Sequence, residues 1–194
     1  MARILVLFGT TEGQTAKIAQ ALAHAIRAEG ADVDVIDADT HSPAPEPYAG
    51  VVVAASVHAG RYQRSVRRWV RTHAWALHNR ETAFVSVCLG ILEHEPETDR
   101  ELQAIQERFL SETGWRPSVT KVVAGALPYT KYNWLKRAIM KRIVRKAGGD
   151  TDTSRDYEYT DWHDVRRFGT AFGHRVLTTL QVQSALIGGL ALTP

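Results

Sequence analysis

The sequence predicts a doubly wound α/β domain, with a five-stranded parallel sheet in the order 2-1-3-4-5, helices on both faces, and a basic helical insertion after strand five. Three observations predict it. Short, continuous apolar runs recur, among them Ile4–Phe8, Val51–Ala55 and Ala83–Leu89, as strands covered on both faces require. Amphipathic segments with helical spacing separate them, and strict alternation of the two implies right-handed crossovers. A loop rich in threonine and glycine, Gly9–Thr15, stands where the first strand gives way to the first helix.

Arg3–Phe8 is the first strand. Thr15–Glu29 reads as a helix through Ile18, Ala19, Leu22, Ala25 and Ile26, with Gly30 as its stop. Val33, Val35 and Ile36 mark the second strand, and Ser42–Tyr48, with three prolines, is a connector. After the third strand, Val51–Ala55, a helix covers Gln63–His78 with Val66, Trp69, Val70, Trp75 and Leu77 as its apolar members. Ala83–Leu89 is the fourth strand, and Glu97–Thr113 a helix through Leu102, Ile105, Phe109 and Leu110. Val119–Ala126 is the fifth strand, and Asp161–Leu177 a closing helix through Val165, Phe168, Phe172 and Val176. The domain is therefore expected over residues 1–177, with an insertion at 127–160. An uncharged tail, 178–194, is left without an assigned element.

The bulk numbers fit a single domain. The chain has 194 residues, 44% of them hydrophobic and 23% charged, which is ordinary globular composition. A single cysteine, Cys88, excludes an internal disulfide framework and CxxC metal sites, and suits a reducing, cytoplasmic compartment. The start of the chain reads as a strand rather than a secretion signal, and no apolar stretch is long enough to span a bilayer. The net charge of +3 is uneven: seven basic residues and no acid lie between Lys131 and Lys146, so the remainder is acidic.

The loop Thr10-Thr11-Glu12-Gly13-Gln14-Thr15 has the chemistry of an anion cradle. A phosphate at a helix N-terminus meets unpaired N–H groups and the positive end of the helix dipole. The threonines add hydroxyl donors, and Gly13 lets the backbone close around the anion. The loop has no lysine and no GxGxxG, which excludes a Walker loop and a dinucleotide fingerprint. Without activation of the phosphate for transfer, such a loop suits FMN. The alternative is a plain helix cap, but ligands of open α/β sheets sit at the carboxyl ends of strands beside the switch point. Two further strand ends fall on the same edge: Ser56-Val57-His58-Ala59-Gly60 and Ser86-Val87-Cys88-Leu89. These are expected to flank the two faces of the flavin ring. His58 is the candidate for steadying a reduced ring or relaying a proton, and Tyr62 a candidate for stacking on it. Cys88, without a partner cysteine, reads as a small buried hydrophobe. Asp150, Asp152 and Asp156 lack the glycine and terminal glutamate of a calcium loop, and no metal is expected.

The chain resembles the flavodoxin-type, quinone-dependent protoporphyrinogen IX dehydrogenases. The resemblance runs from Arg3 to about Val176. It is carried by TTEGQT at 10–15, ASVHAGRY at 55–62, and above all GALPYTKYNW at 125–134, GGDTDT at 148–153 and YTDW at 159–162. The last three lie in the insertion, which plain flavodoxins lack. The resemblance implies FMN as cofactor, protoporphyrinogen IX as electron donor, a membrane quinone as acceptor, and a place in haem synthesis. Two stretches depart from the family pattern: Glu93-His94-Glu95-Pro96-Glu97 is acidic where relatives tend to be basic, and the tail runs past the usual end. Rival readings on the same fold are an electron carrier and an NAD(P)H:quinone reductase; a homo-oligomer is compatible with each.

Read as a helix, Asn133–Ala147 gathers Ile139, Met140, Ile143, Val144 and Ala147 into one stripe, on which Lys136 intrudes, while Arg137, Lys141, Arg142 and Arg145 occupy the rest; Tyr129, Tyr132 and Trp134 precede it. A basic amphipathic helix with interfacial aromatics fits adsorption to an anionic membrane. Attraction of porphyrinogen propionates and a merely solvated charged face are the other readings. No nucleic-acid-binding pattern accompanies the charge, so no nucleic acid is expected. The protein is accordingly expected at the inner face of the cell membrane.

Overall fold

A computed structural model describes residues 1–40, 42–92, 95–127 and 152–190. The expected helix at Asn133–Ala147, with its candidate contacts Trp134, Arg137, Lys141, Arg142 and Arg145, lies outside the described residues, as do Glu93 and His94.

The strands are β1 (Arg3–Gly9), β2 (Asp32–Asp37), β3 (Gly50–Ser56), β4 (Glu81–Cys88) and β5 (Val119–Ala124). They form one parallel sheet in the order β2-β1-β3-β4-β5, as the sequence predicts. The switch point lies between β1 and β3, where Phe8 pairs with Ala54 and Gly9 with Ala55.

Pleating sends alternate residues of each strand to opposite faces, and each face has its own core. Ile4, Val6 and Phe8 point with Val52, Ala54, Val85 and Val123 toward α1 (Gln14–Ala28) and the closing helix α4 (Trp162–Leu190). Leu5, Leu7, Val51, Val53 and Phe84 point toward α2 (Arg64–His78) and α3 (Pro96–Thr113). The second core is aromatic: Phe84 stacks on Phe109 at 4.9 Å and meets Tyr62 and Trp115 edge-on at 5.1 and 5.7 Å.

Four expectations differ from the structure. The fifth strand ends at Ala124, not Ala126. Beyond Gly125 the chain leaves the sheet and forms β6 (Ala126–Leu127), antiparallel to β7 (Tyr157–Glu158). The cause is non-local: Tyr159 N–H donates to the Gly125 carbonyl at 3.1 Å and the Thr160 hydroxyl to the Ala124 carbonyl at 2.8 Å. The closing helix does not stop at Leu177 but runs to Leu190, because no glycine or proline lies between Leu177 and Gly188 to end it. Trp75, expected on the buried face of its helix, is 80% exposed. Tyr62, expected near the ligand, lies in the aromatic core with its hydroxyl 2.8 Å from Ser86 Oγ, and burial pushes its pKa up to about 12.

The extended α4 is tied to the sheet at Glu81, which accepts from Arg175 Nε at 2.6 Å and from the Thr179 hydroxyl at 3.2 Å. Burial works to raise the Glu81 carboxyl, but these bonds, one from Ser118 and the Arg175 charge overcome it and hold the pKa below the ordinary value of 4.5. A carboxyl depressed on folding contributes stability above its unfolded pKa and loses it as pH falls through the folded one. Glu81→Gln is therefore expected to cost about 1 kcal/mol at pH 7, since Arg175 is half exposed and the pair is partly screened. In urea titrations the gap from wild type should begin to narrow as the pH falls below 4.5 and close as it passes the lower, folded-state pKa; a gap independent of pH would refute it.

Candidate functional site

The carboxyl ends of β1, β3, β4 and β5 open onto a cavity of about 430 Å³, closed on one side by the β6–β7 ribbon. The site begins at Gly9, where a Cβ would stand 2.5 Å from Val66 Cγ2. Only glycine lets α2 approach the loop so closely.

The loop folds on itself through Gly13 N–H, which donates to Thr10 Oγ1 at 2.9 Å. Gly13 takes a φ of 96° as the N-cap of α1 and brings no capping side chain. The helix therefore offers first-turn N–H groups to whatever sits in the loop. Thr15 is 1% exposed and lines the cavity beside Thr10, Glu12, Gly13 and Gln14.

The second wall comes from the end of β3. Ser56, Val57, His58 and Ala59 line it. His58 and Arg61 exchange backbone hydrogen bonds at 2.8 and 3.0 Å across a turn whose central residues, Ala59 and Gly60, have φ of 47° and 71°. Both lie in the left-handed region, which costs a non-glycine residue of order 1 kcal/mol or more, and such positions gather at ligand clamps. The third wall is Val87, Cys88 and Leu89. Burial pushes the Cys88 thiol up, so it stays protonated at neutral pH.

The structure thus brings twelve of the fifteen expected cofactor contacts to one cavity. The other three do not line it. Thr11 Oγ1 accepts from Gln63 Nε2 at 3.3 Å, Gly60 turns outward under Arg108, and Ser86 is held by Tyr62.

Sequence reasoning missed Lys17, Gly125, Ala126, Asp156, Tyr157 and Glu158, which also line the cavity. Lys17 donates to Glu158 at 3.0 Å, and Gln14 Nε2 donates to the Thr160 hydroxyl at 2.9 Å. The Lys17 hydrogen bond, with help from Trp162 and Gln14, holds the Glu158 carboxyl below its usual range against burial. These two ties fix the base of the insertion to the first turns of α1. Leu127, buried against Leu89, Tyr157 and Tyr159, completes that wall. YTDW at 159–162 was the available signal for it. Gln63 was missed too: it donates to Ser56 Oγ at 2.6 Å and joins the start of α2 to the loop.

The donor set fits FMN. Hydroxyls and helix amides gather at one end for a phosphate, while Val57, Ala59, Val87 and Leu89 give a mostly apolar slot for a flat ring. The volume is within the range of small-ligand pockets. A doubly wound sheet with such a slot at its switch point defines a flavin-mononucleotide protein of the flavodoxin type.

Comparison with known proteins agrees. A family model described as "Flavodoxin domain" matches residues 5–154. The chain is 37% identical over 175 residues to the Escherichia coli K12 protein named "Protoporphyrinogen IX dehydrogenase [quinone]", covering 89% of this chain and 95% of that one. A Leishmania major protein of the same name is 32% identical over 172 residues, 88% of this chain and 74% of its own. Among solved structures, an archaeal flavodoxin superposes with a TM-score of 0.54 at 13% identity, covering 90% of this chain and 98% of its own. A Streptococcus pneumoniae flavodoxin gives 0.54 at 14%, covering 92% and 99%. These two speak for the fold alone. The chain belongs to the flavodoxin-domain family and, within it, to the quinone-dependent protoporphyrinogen IX dehydrogenases.

Proposed function

We propose that this chain oxidises protoporphyrinogen IX to protoporphyrin IX and passes the electrons to a quinone, as an enzyme of haem synthesis. One observation carries the reading: identity to the named relatives runs nearly the whole chain and so takes in the insertion, whose base is pinned beside the cavity by Lys17–Glu158 and Gln14–Thr160.

Bound in the cavity, FMN supplies the two-electron redox chemistry, and the protein supplies placement and electrostatics. Thr10, Thr15 and the first amides of α1 hold the phosphate. Val57 and Ala59 on one side, and Val87 to Leu89 on the other, orient the ring. Leu127, Tyr157 and Tyr159 keep water from the side where the insertion joins. His58 is the titratable side chain on the ring-facing turn and the candidate to hold or move a proton there.

The insertion would also bring the cavity to an anionic membrane surface, through the basic residues between Lys131 and Lys146. Among the described residues, no helix is long and apolar enough to cross a membrane.

Anaerobic stopped-flow on the FMN-loaded protein tests the activity. Protoporphyrinogen IX should bleach the visible flavin absorbance rapidly, and a quinone should restore it. Bleaching by NADPH but not by the porphyrinogen would make the chain a quinone reductase. A response to neither would leave an electron carrier.

A further inference from the structure

The outward face of α2 carries a pattern that the cavity does not use. Arg64, Arg68, Arg71 and Trp75 recur at spacings of four, three and four, so they fall on one stripe roughly 16 Å long. Arg67 flanks it. No acidic residue lies anywhere on α2. The opposite face, Val66, Trp69, Val70 and Leu77, is buried on the sheet, so the arginines are committed to solvent.

Two features separate this stripe from an ordinary solvated face. Trp75 is 80% exposed, and among the described residues it is the one large aromatic left in water. Tryptophan is enriched where one end of the ring can be apolar and the other wet, as at a membrane–water interface. In addition, Arg64, Arg67, Arg68 and Arg71 surround a recess of about 430 Å³ whose one carboxylate is Glu112, 3.4 Å from Arg67 Nη1. Guanidinium groups match phosphate oxygens in a bidentate way that ammonium groups do not.

We infer that the Arg64–Trp75 face of α2 is a docking surface for an anionic phospholipid bilayer. The arginines meet headgroup phosphates, with room for one in the recess, and the Trp75 ring enters the interfacial layer. Tryptophan and arginine also anchor protein hot spots, but there they sit in desolvated pockets near the interface centre; Trp75 instead stands 80% exposed at the end of a charged stripe, which suits a headgroup layer better. The acid-rich α3 of a second copy of this chain is the other occupant of suitable charge.

The position of the stripe has a consequence that rests on the proposed activity. Gln63, immediately before Arg64, bonds both Ser56 and Thr11 of the cofactor site. A bilayer under α2 would therefore lie beside the ring-facing turn, where a lipid-soluble quinone is needed. The docking itself does not depend on that reading.

Flotation of the FMN-loaded protein with extruded vesicles tests the inference. Wild type should float with phosphatidylcholine/phosphatidylglycerol vesicles and stay behind with phosphatidylcholine alone. Each surface arginine contributes about fivefold to such binding, so Arg64→Gln/Arg68→Gln/Arg71→Gln should weaken it about a hundredfold while retaining bound FMN. Brominated lipid should quench tryptophan emission in wild type and in Trp134→Phe, and less in Trp75→Phe. Unchanged flotation of the triple variant would overturn the inference. So would a triple variant that floats normally but loses self-association in sedimentation velocity, which would assign the face to a second copy. Quenching that disappears with Trp134→Phe, together with loss of flotation only in Arg137→Gln/Lys141→Gln/Arg142→Gln/Arg145→Gln, would place the membrane contact in the insertion alone. Porphyrinogen oxidation, measured without vesicles, reports separately on the activity.

Discussion

Thr10→Val/Thr15→Val is expected to abolish useful FMN binding while leaving the fold intact. Both hydroxyls line the cavity at the start of α1, and both belong to the donor set for a phosphate carrying one to two negative charges. A hydrogen bond to a charged group contributes about 1.5–3 kcal/mol, so each substitution should weaken binding by roughly ten- to a hundredfold, and the pair by roughly a hundred- to ten-thousandfold. The threonines are unequal. Thr15 is buried, and valine nearly preserves its shape, so Thr15→Val reads the lost donor with little else changed. Thr10 Oγ1 also accepts from Gly13 N–H, so Thr10→Val additionally loosens the loop and should be the worse of the two. Quenching of FMN fluorescence on titration measures the affinity, and a thermal melt of the apoprotein controls for folding. A double variant that binds within about twofold of wild type would remove these hydroxyls from the site.

The sheet was legible because strands covered on both faces leave unbroken apolar runs, and Ile4–Phe8 and Val51–Ala55 have few other uses. The loop was legible because hydroxyls and glycine between a strand and a helix serve an anion. What the sequence hid was set by distant partners. Nothing local to Val122-Val123-Ala124-Gly125-Ala126 says that the strand ends at Ala124; the ends of the break are held by Tyr159 and Thr160, more than thirty positions away. Nothing near Lys17 in the chain marks it as part of the site, because its partner Glu158 lies 141 positions away. Trp75 shows the opposite failure. A large apolar side chain in a helix is usually assigned to the core, yet its position one full turn past Arg71 places it on the charged face, and helical phase outweighed residue type. Tyr62 was drawn toward the ligand by adjacency to the Ala59–Gly60 turn, whereas Phe84 and Phe109 offered its ring a core.

Gly169→Val is expected to lower stability by about 3 kcal/mol and to weaken FMN binding with it, although the residue touches no part of the cavity. Gly169 and Gly173 are four apart and therefore on one face of α4, and that face is pressed against α1. A Cβ on Gly169 would stand 2.9 Å from Ala25 Cβ and from the Leu22 carbonyl oxygen, and 3.3 Å from Leu22 Cα. Two of these atoms are backbone and cannot turn aside, so the helices must move apart. Each glycine costs a helix interior about 1 kcal/mol relative to alanine, and the close approach of α1 to α4 offsets that cost. Overpacking usually costs about 1–3 kcal/mol, and a β-branched side chain aimed at a backbone belongs at the upper end. For a domain of this length that is a fall of roughly 6–12 °C in Tm. The effect should reach the cofactor because α1, once displaced, carries its N-terminal amides and Thr15 with it and strains the Gln14–Thr160 and Lys17–Glu158 ties. Gly173→Ala is the control. Its new methyl would meet chiefly the flexible Glu29 side chain, at 3.2 Å from Cγ, so the gain in helix propensity should roughly cancel the crowding and leave Tm within a few degrees of wild type. Should Gly169→Val melt like wild type, the close crossing of α1 and α4 is not what seats the anion site.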